Sequence, residues 1–201
     1  MKNLLLLSAI TMASIMLAFT SDQPGVEVGD KAPDFRLENV DGTMVSLADH
    51  KNAKAYIVIF TCNTCPYAKD WEDRIASLHA KYASKGVPVI AINPNDPAIS
   101  AGDSFDKMKE ISEEKGYEFP YLFDESQSTA AAYGATRTPH AYVLNKDMKV
   151  IYIGAIDNNH KQANNADKKY VEDAVESILD NKELKVKSTK SVGCTIKWRK
   201  A

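Results

Sequence analysis

A chain of 201 residues with 44% hydrophobic residues is long enough for one domain with additions and apolar enough to form a core. The formal net charge is only −2, and the Lys and Arg residues are scattered along the chain. This charge pattern excludes nucleic acid as a partner.

The first twenty residues have the pattern of an export signal. Lys2 precedes a largely apolar segment, 4–18, and a polar segment follows it. The pattern predicts a secretory signal at residues 1–20 that is cleaved. The alternative is an uncleaved membrane anchor, but the apolar segment is shorter than the ~20 residues that a spanning helix usually needs. The sequence therefore predicts export to a bacterial periplasm or cell envelope, with membrane attachment only through an uncleaved N-terminus.

Apolar strands that alternate with amphipathic helices predict a domain over residues 21–182, followed by a C-terminal tail over residues 183–201. In chain order, we predict extended segments at 34–37 and 44–47, a strand at 56–60, a helix at 66–84, a strand at 87–92, a helix at 104–115, a strand at 120–123, a helix at 126–133, strands at 141–144 and 150–153, and a helix ending near 179. This order predicts an α/β fold in which helices cover both faces of a mixed central sheet, with an N-terminal hairpin.

Two cysteines three positions apart, Cys62 and Cys65, lie between the strand at 56–60 and the following helix. That strand is continuously apolar, which predicts a central position covered on both faces. Pro66 is tolerated only in a first helical turn, so the helix begins at the cysteine motif. The helix N-terminus favours a thiolate at the first cysteine, and the spacing allows reversible disulfide exchange. The alternative is an inert disulfide or two buried small side chains.

Motifs on both sides of this CxxC motif occur in the order expected for one superfamily. They lie at residues 29–35, 41–42, 62–66, 119–124, 133–135 and 138–139. With them the chain resembles the thioredoxin-like superfamily over about residues 26–179. Within the superfamily it looks most like the redoxin group, which includes the AhpC/TSA proteins and exported thiol–disulfide oxidoreductases.

The resemblance implies a thioredoxin-like fold in which Pro139 follows a cis peptide bond opposite Cys62. The backbone of Thr138 would then pair with a bound substrate chain. Cys62 would attack a target disulfide and Cys65 would resolve the mixed disulfide. A trans proline at the start of a strand is the alternative reading of Pro139.

The resemblance also implies that the redox-active Cys62–Cys65 disulfide works without a further cofactor. The implied partners are protein or small-molecule disulfides and an electron donor of the cell envelope. The direction of electron flow stays open, and we favour a reductase because related exported proteins mostly serve that way. Tyr56 stands where many thioredoxins carry a buried acid, which leaves the proton acceptor for Cys65 unidentified.

A peroxiredoxin-like thiol peroxidase is the nearest alternative function. Peroxiredoxins carry a threonine three residues before the reactive cysteine and a proline four residues before that threonine. These positions hold Cys62 and Val58 when counted from Cys65, and Ile59 and Ala55 when counted from Cys62. Neither register fits, although the N-terminal segment suits that group.

A copper-binding module is a more distant alternative. His140 follows Pro139, and the fold would bring it near the two cysteines, which gives a soft set of ligands suited to copper. Related copper chaperones space their cysteines differently, so we predict no metal site.

The third cysteine, Cys194, is either an auxiliary thiol or a small buried residue in a tail that Ile196 and Trp198 pack against the domain. We favour packing. Arg137, beside the expected cis peptide bond, either steers an anionic substrate or is solvated, and we favour solvation.

Overall fold

The computed structural model describes residues 25–200, so the predicted signal at 1–20 lies outside the described residues. Its strands are β1 (Leu37–Asn39), β2 (Met44–Val45), β3 (Ala55–Phe60), β4 (Val89–Asn93), β5 (Tyr121–Phe123), β6 (Arg137–Thr138), β7 (His140–Asn145), β8 (Val150–Gly154) and β9 (Cys194–Thr195). Its α-helices are α1 (Pro66–Tyr82), α2 (Phe105–Lys115), α3 (Ser128–Tyr133) and α4 (Tyr170–Leu179). Between residues 25 and 200, no helix is both long enough and apolar enough to cross a membrane.

Seven strands form one mixed sheet in the order β2-β1-β5-β4-β3-β7-β8. The three central strands β3, β4 and β5 are parallel, whereas β7 pairs antiparallel with β3 and β8 pairs antiparallel with β7. The predicted antiparallel edge is therefore confirmed. The N-terminal hairpin of β1 and β2 forms the opposite edge, where β1 pairs antiparallel with β5.

The predicted central strand is confirmed, because every residue of β3 is buried. Alternate side chains of a strand point to opposite faces of its sheet. Ile57 and Ile59 face one core, which α1 and α4 cover, and Val58 and Phe60 face a second core, which includes Tyr133 of α3. The two cores hold β3 from both sides, so the residues that follow it leave the sheet at a fixed place.

Helix α1 presents one apolar face to the first core, as its spacing predicts. Its buried residues are Ala68, Trp71, Ile75, Leu78 and Tyr82. The helix ends at Tyr82 rather than at residue 84, because the backbone tightens into a 3-10 turn before Gly86. Gly86 has a φ of 82°, a left-handed conformation that glycine adopts without steric cost.

Candidate active site

The CxxC motif lies at the carboxyl end of β3, where the central strand gives way to α1. The N–H group of Thr61 donates a last sheet hydrogen bond to the oxygen of Ile92, at 2.8 Å. Cys65 then takes an extended conformation at the N-cap of α1, and Pro66 occupies the first helical position. A proline there loses no hydrogen bond because the first N–H groups of a helix have no partner within it. The local sequence alone predicts this strand–loop–helix junction.

The structure brings both sulfurs of the motif against the Thr138–Pro139 segment. That peptide bond is cis, as the resemblance implies. The sulfur of Cys62 lies 3.1 Å from the hydroxyl oxygen of Thr138, and the sulfur of Cys65 lies 3.1 Å from its carbonyl oxygen. The four predicted site residues therefore form one cluster, although 76 positions separate Cys62 from Thr138.

Cys62 is reachable through a cavity, although both cysteines of the motif are buried. Cys62 is 6% exposed and Cys65 is 3% exposed. The cavity measures about 280 Å³, and Cys62 lies on its wall together with the aromatic side chains of Tyr117 and Tyr121. A reactant small enough to enter this space can therefore reach Cys62.

A salt bridge adds charge to the wall of this cavity. The ammonium nitrogen of Lys115 lies 2.5 Å from a carboxylate oxygen of Glu72, and both residues line the cavity. The aromatic rings of Tyr117 and Phe119 stack at a centroid distance of 4.6 Å on the same wall. The space that leads to Cys62 thus combines apolar surface with a pair of opposite charges.

The thiols of Cys62 and Cys65 share a hydrogen bond, so they lose their protons as a pair. The hydrogen bond from Cys62 lowers the pKa of Cys65 to about 5 against the opposing effect of burial, and contacts with Cys194 and with the N–H group of Ala68 lower it further. The same shared hydrogen bond, followed by burial, raises the pKa of Cys62. One proton therefore leaves the pair readily and the second is retained.

The negative charge of the pair has two alternative positions. The N–H groups near Cys65 stabilise a thiolate there, whereas the Thr138 carbonyl oxygen accepts a proton from a neutral Cys65 thiol. The second arrangement leaves the thiolate on Cys62, where the Thr138 hydroxyl can donate to it. Of the two cysteines, Cys62 is the one that lines the cavity, which favours it as the attacking group. Its attacking role stays a prediction.

The two residues between the cysteines are anchored by a buried carboxylate that the sequence did not reveal. Asp103 is fully buried, and its carboxylate accepts hydrogen bonds from the N–H groups of Asn63 and Thr64, at 2.8 and 3.1 Å. It also accepts from the side chains of Thr64, Asn95 and Ser100, at 2.7 to 2.8 Å. The negative charge of Asp103 raises the pKa of Cys62. Asp103 thus fixes the loop and biases the protonation of its first thiol.

Both polar atoms of the Asn63 side-chain amide form hydrogen bonds. Its amide oxygen accepts a hydrogen bond from the Tyr121 hydroxyl at 2.7 Å, and its amide nitrogen donates to the Gly102 oxygen at 2.9 Å. Sequence reasoning gave Asn63 and Asp103 no role, because a lone Asp in a loop before a helix carries no local signal of a distant partner. The CxxC loop is consequently a rigid, internally bonded turn.

The C-terminal tail lies on the strand edge that the resemblance assigns to a substrate. Strand β9 pairs antiparallel with β6, so that Cys194 stands opposite Thr138. The N–H group of Cys194 donates to the Cys65 sulfur at 3.3 Å. Arg137 donates to the Gly193 oxygen at 2.8 Å, so it holds the tail and is not simply solvated. The predicted substrate-binding edge at Thr138 is therefore covered by the chain itself.

The tail is packed by one of the two residues expected to do so. Ile196 is 4% exposed and belongs to the second core, whereas Trp198 is 40% exposed. The N–H group of Lys197 donates to the Asn95 side chain, and its oxygen accepts from the Gln127 side chain. These polar contacts hold the tail where Trp198 does not.

His140, the predicted third ligand of the copper alternative, faces the second core. It is 8% exposed, and its Nδ1 atom lies 3.4 Å from the Tyr142 hydroxyl. Burial, assisted by the charge of Arg137, lowers the pKa of His140 to about 4. Over residues 25–200, His, Cys, Asp and Glu side chains form no group of three or more that could hold a metal ion.

Comparison with known protein families assigns the fold and the site to one of them. The model of the AhpC/TSA family matches residues 28–153, which include the CxxC motif and the cis proline. The chain belongs to the AhpC/TSA family. This membership confirms the resemblance drawn from the sequence.

Individual relatives place this AhpC/TSA protein among thiol–disulfide oxidoreductases. It is 26% identical over 148 residues to the thiol–disulfide oxidoreductase ResA of Bacillus thuringiensis, a match that covers 74% of this chain and 81% of the relative. An uncharacterized conserved protein from Geobacillus kaustophilus is 38% identical, with a TM-score of 0.81 over 87% of this chain and 94% of that one. A putative thiol:disulfide interchange protein DsbE from Chlorobium tepidum shares the fold, with 24% identity and a TM-score of 0.62 over 77% and 99% of the two chains. The predicted fold and the predicted enzyme class, thiol–disulfide oxidoreductase, are confirmed.

Proposed function

We propose that Cys62 and Cys65 form the redox-active pair of this oxidoreductase, and that the enzyme works as a reductase in a bacterial cell envelope. Its substrates would be disulfides, and its electrons would come from a donor of the envelope. The observation that carries the proposal is the cluster of both sulfurs against Thr138, with Cys62 on the wall of a cavity.

In the proposed reaction, the Cys62 thiolate attacks one sulfur of a substrate disulfide. A bond forms between Cys62 and that sulfur, and the second substrate sulfur leaves and takes up a proton. The Cys65 thiolate then attacks Cys62, which releases the first substrate sulfur and leaves a Cys62–Cys65 disulfide. The two electrons that reduce the substrate come from the two cysteines, and no further cofactor takes part.

The low pKa of one thiol in the pair supports this role. A thiolate is the attacking species in disulfide exchange, and a pKa of about 5 leaves most of the pair singly ionised at neutral pH. The hydrogen bond between the two thiols lets either Cys62 or Cys65 carry the negative charge as the reaction proceeds. The predicted signal at residues 1–20 supports the envelope location, where oxidised substrates accumulate.

The direction of electron flow is tested by a redox titration of the Cys62–Cys65 pair. A reductase should have a midpoint potential near about −270 mV, whereas an oxidant should lie near about −120 mV. A midpoint near the second value would contradict the reductase. Matched Cys62→Ser and Cys65→Ser variants should then differ, because only Cys65→Ser keeps the attacking sulfur and traps mixed disulfides for mass spectrometry.

The same variant separates disulfide exchange from the peroxidase alternative. With hydrogen peroxide and a thiol donor, we expect Cys65→Ser to show no turnover above the reaction of a free thiol, because neither cysteine has the surrounding residues of a peroxiredoxin. Rapid turnover of peroxide, with no trapped mixed disulfide, would overturn the proposed exchange.

A further inference from the structure

The third cysteine is placed where a substrate sulfur would have to lie. In the proposed function, an extended substrate pairs with the backbone of Thr138 and offers its sulfur to the CxxC motif. Strand β9 occupies that edge, with Cys194 in the position opposite Thr138. The Cys194 N–H group donates to the Cys65 sulfur at 3.3 Å, and Cys194 packs against the small cluster that Cys62, Cys65 and Ala68 form.

The backbone of the tail fits this edge too closely to be a loose cover. A Cβ atom added at Gly193 would lie 2.2 Å from the oxygen of Thr138 and 2.6 Å from its carbonyl carbon. Only glycine permits that approach without a shift of the backbone. The same Thr138 oxygen accepts the hydrogen bond from Cys65, so the tail and the CxxC motif meet at one carbonyl group.

We propose that Cys194 is a third redox-active cysteine, which exchanges with the Cys62–Cys65 disulfide by attack on Cys65. This inference rests on the proposed function, because that function supplies the disulfide. The Cys194 thiolate forms a bond to the Cys65 sulfur, and the Cys62–Cys65 bond breaks. Cys62 leaves as a thiolate and takes up the proton that Cys194 lost. A lone pair of Cys194 forms the new bond and the electron pair of the broken bond stays on Cys62, so Cys194 is oxidised to the disulfide level, Cys62 is reduced to a thiol, and the number of disulfides is unchanged.

The protonation of Cys194 changes in the direction that this exchange requires. Burial, followed by the hydrogen bond and charge of Cys65, raises the pKa of Cys194 to about 11 in the reduced protein. Once Cys65 is in a disulfide, it carries no thiolate charge, so it no longer raises the pKa of Cys194 in this way. The charges of Arg137 and Lys197, which lower the pKa of Cys194, remain. Cys194 therefore becomes the better nucleophile when its target disulfide is present.

The exchange would transfer the disulfide from the cavity side of the site to the side of the C-terminal tail. Cys62 lies on the wall of the cavity beside α1, whereas Cys194 is half-buried on the tail and does not line that cavity. After the exchange, Cys62 is again a thiol that can meet a substrate in the cavity. The Cys65–Cys194 disulfide is then open to the electron donor on the side of the tail.

The exchange is tested by mapping disulfides after oxidation of the reduced protein with glutathione disulfide, acid quenching and trypsin digestion. Cys62 and Cys65 lie in one tryptic peptide, 55–69, and Cys194 lies in another, 191–197. A Cys62–Cys65 disulfide therefore stays within one peptide, whereas a Cys65–Cys194 disulfide links two. We expect both products from the unaltered protein, and the linked pair from a monomeric Cys62→Ser variant, in which only Cys65 can make the link.

Two tail variants separate the position of Cys194 from its mere presence. Gly193→Ala keeps all three thiols but displaces the tail, so we expect about tenfold less linked peptide, with the Cys62–Cys65 disulfide still formed. The matched control is Thr195→Ala, which alters an exposed side chain of the same strand and should leave the yield of linked peptide unchanged.

Two results would overturn the inference while leaving the proposed function intact. One is the absence of linked peptide from Cys62→Ser under conditions that oxidise the Cys62–Cys65 pair of the unaltered protein. The other is an equal yield of linked peptide from Gly193→Ala and Thr195→Ala. If the Cys62–Cys65 disulfide itself does not form, the proposed function is overturned, and Cys194 has no disulfide to attack.

Discussion

The Asp103→Asn variant tests whether a buried carboxylate fixes the CxxC loop. The carboxylate accepts five hydrogen bonds, two of them from the N–H groups of Asn63 and Thr64. An asparagine keeps one acceptor oxygen, but its amide group faces the donor amide of Asn95. The substitution therefore removes charge from the bonds to the loop and leaves one buried donor without an acceptor.

The magnitude follows from these bonds. Hydrogen bonds to charged groups contribute about 1.5–3 kcal/mol each and neutral ones about 0.5–1.5 kcal/mol, so two weakened loop bonds cost about 2 kcal/mol. The unsatisfied Asn95 donor adds about 1–3 kcal/mol. We expect Asp103→Asn to lower the free energy of unfolding by about 3–5 kcal/mol in urea denaturation.

The same substitution should change the reactivity of the first cysteine. The charge of Asp103 raises the pKa of Cys62, so its removal should lower that pKa. The rate of iodoacetamide alkylation at Cys62, measured by mass spectrometry at one fixed pH, should then be higher than in the unaltered protein. Asp106→Asn makes the same charge change at a side chain that is 89% exposed and should alter neither quantity. Unaltered stability in Asp103→Asn, or slower alkylation of Cys62 at that pH, would refute the assigned role of Asp103.

Two further predictions concern groups away from the cysteines. Arg74 and Asp157 form a largely buried ion pair at 2.7 Å, with side chains 13% and 5% exposed, and Asp157 also accepts from the Trp71 indole at 3.0 Å. Arg74→Ala should therefore cost about 3–5 kcal/mol of unfolding free energy in urea, and a loss under about 1 kcal/mol would contradict this prediction. Burial lowers the pKa of His140 to about 4 from a reference value of 6.5, so the folded state binds fewer protons between these values and stability falls as the pH falls from 6.5 toward 4. We expect a loss of about 2 kcal/mol between pH 7 and pH 5 that is absent in His140→Phe, and equal pH dependence of the two proteins would exclude this contribution.

The cover over Thr138 bears on the kind of disulfide that this enzyme can meet. A protein substrate that binds by strand pairing would have to displace β9 from β6. A small disulfide could instead reach Cys62 through the cavity of about 280 Å³ while the tail stays in place. Comparing the rates of reduction of glutathione disulfide and of a protein disulfide, with and without Gly193→Ala, would distinguish these routes.

The sequence by itself determined the elements that depend on local pattern. The continuous apolar run of β3, the single buried face of α1 and the proline after Cys65 each act over a few residues, so spacing was enough to predict the strand, the loop and the helix. The end of α1 differs from the prediction by two residues, because a 3-10 turn and an α-helix share the same backbone region and the sequence pattern does not separate them. The cis bond before Pro139 came from the resemblance, not from any local pattern.

Only the tertiary structure decided what surrounds the two sulfurs. Asp103 is 40 positions from Asn63, and Cys194 is 129 positions from Cys65, yet each forms a direct hydrogen bond with its partner. Contacts between segments so far apart leave no periodic trace in the chain, because they arise from how the sheet, the helices and the tail pack together. The sequence was therefore sufficient to place Cys62 and Cys65 at the end of a strand. Only the packing of distant segments showed that the Cys194 thiol and the buried Asp103 carboxylate lie beside them.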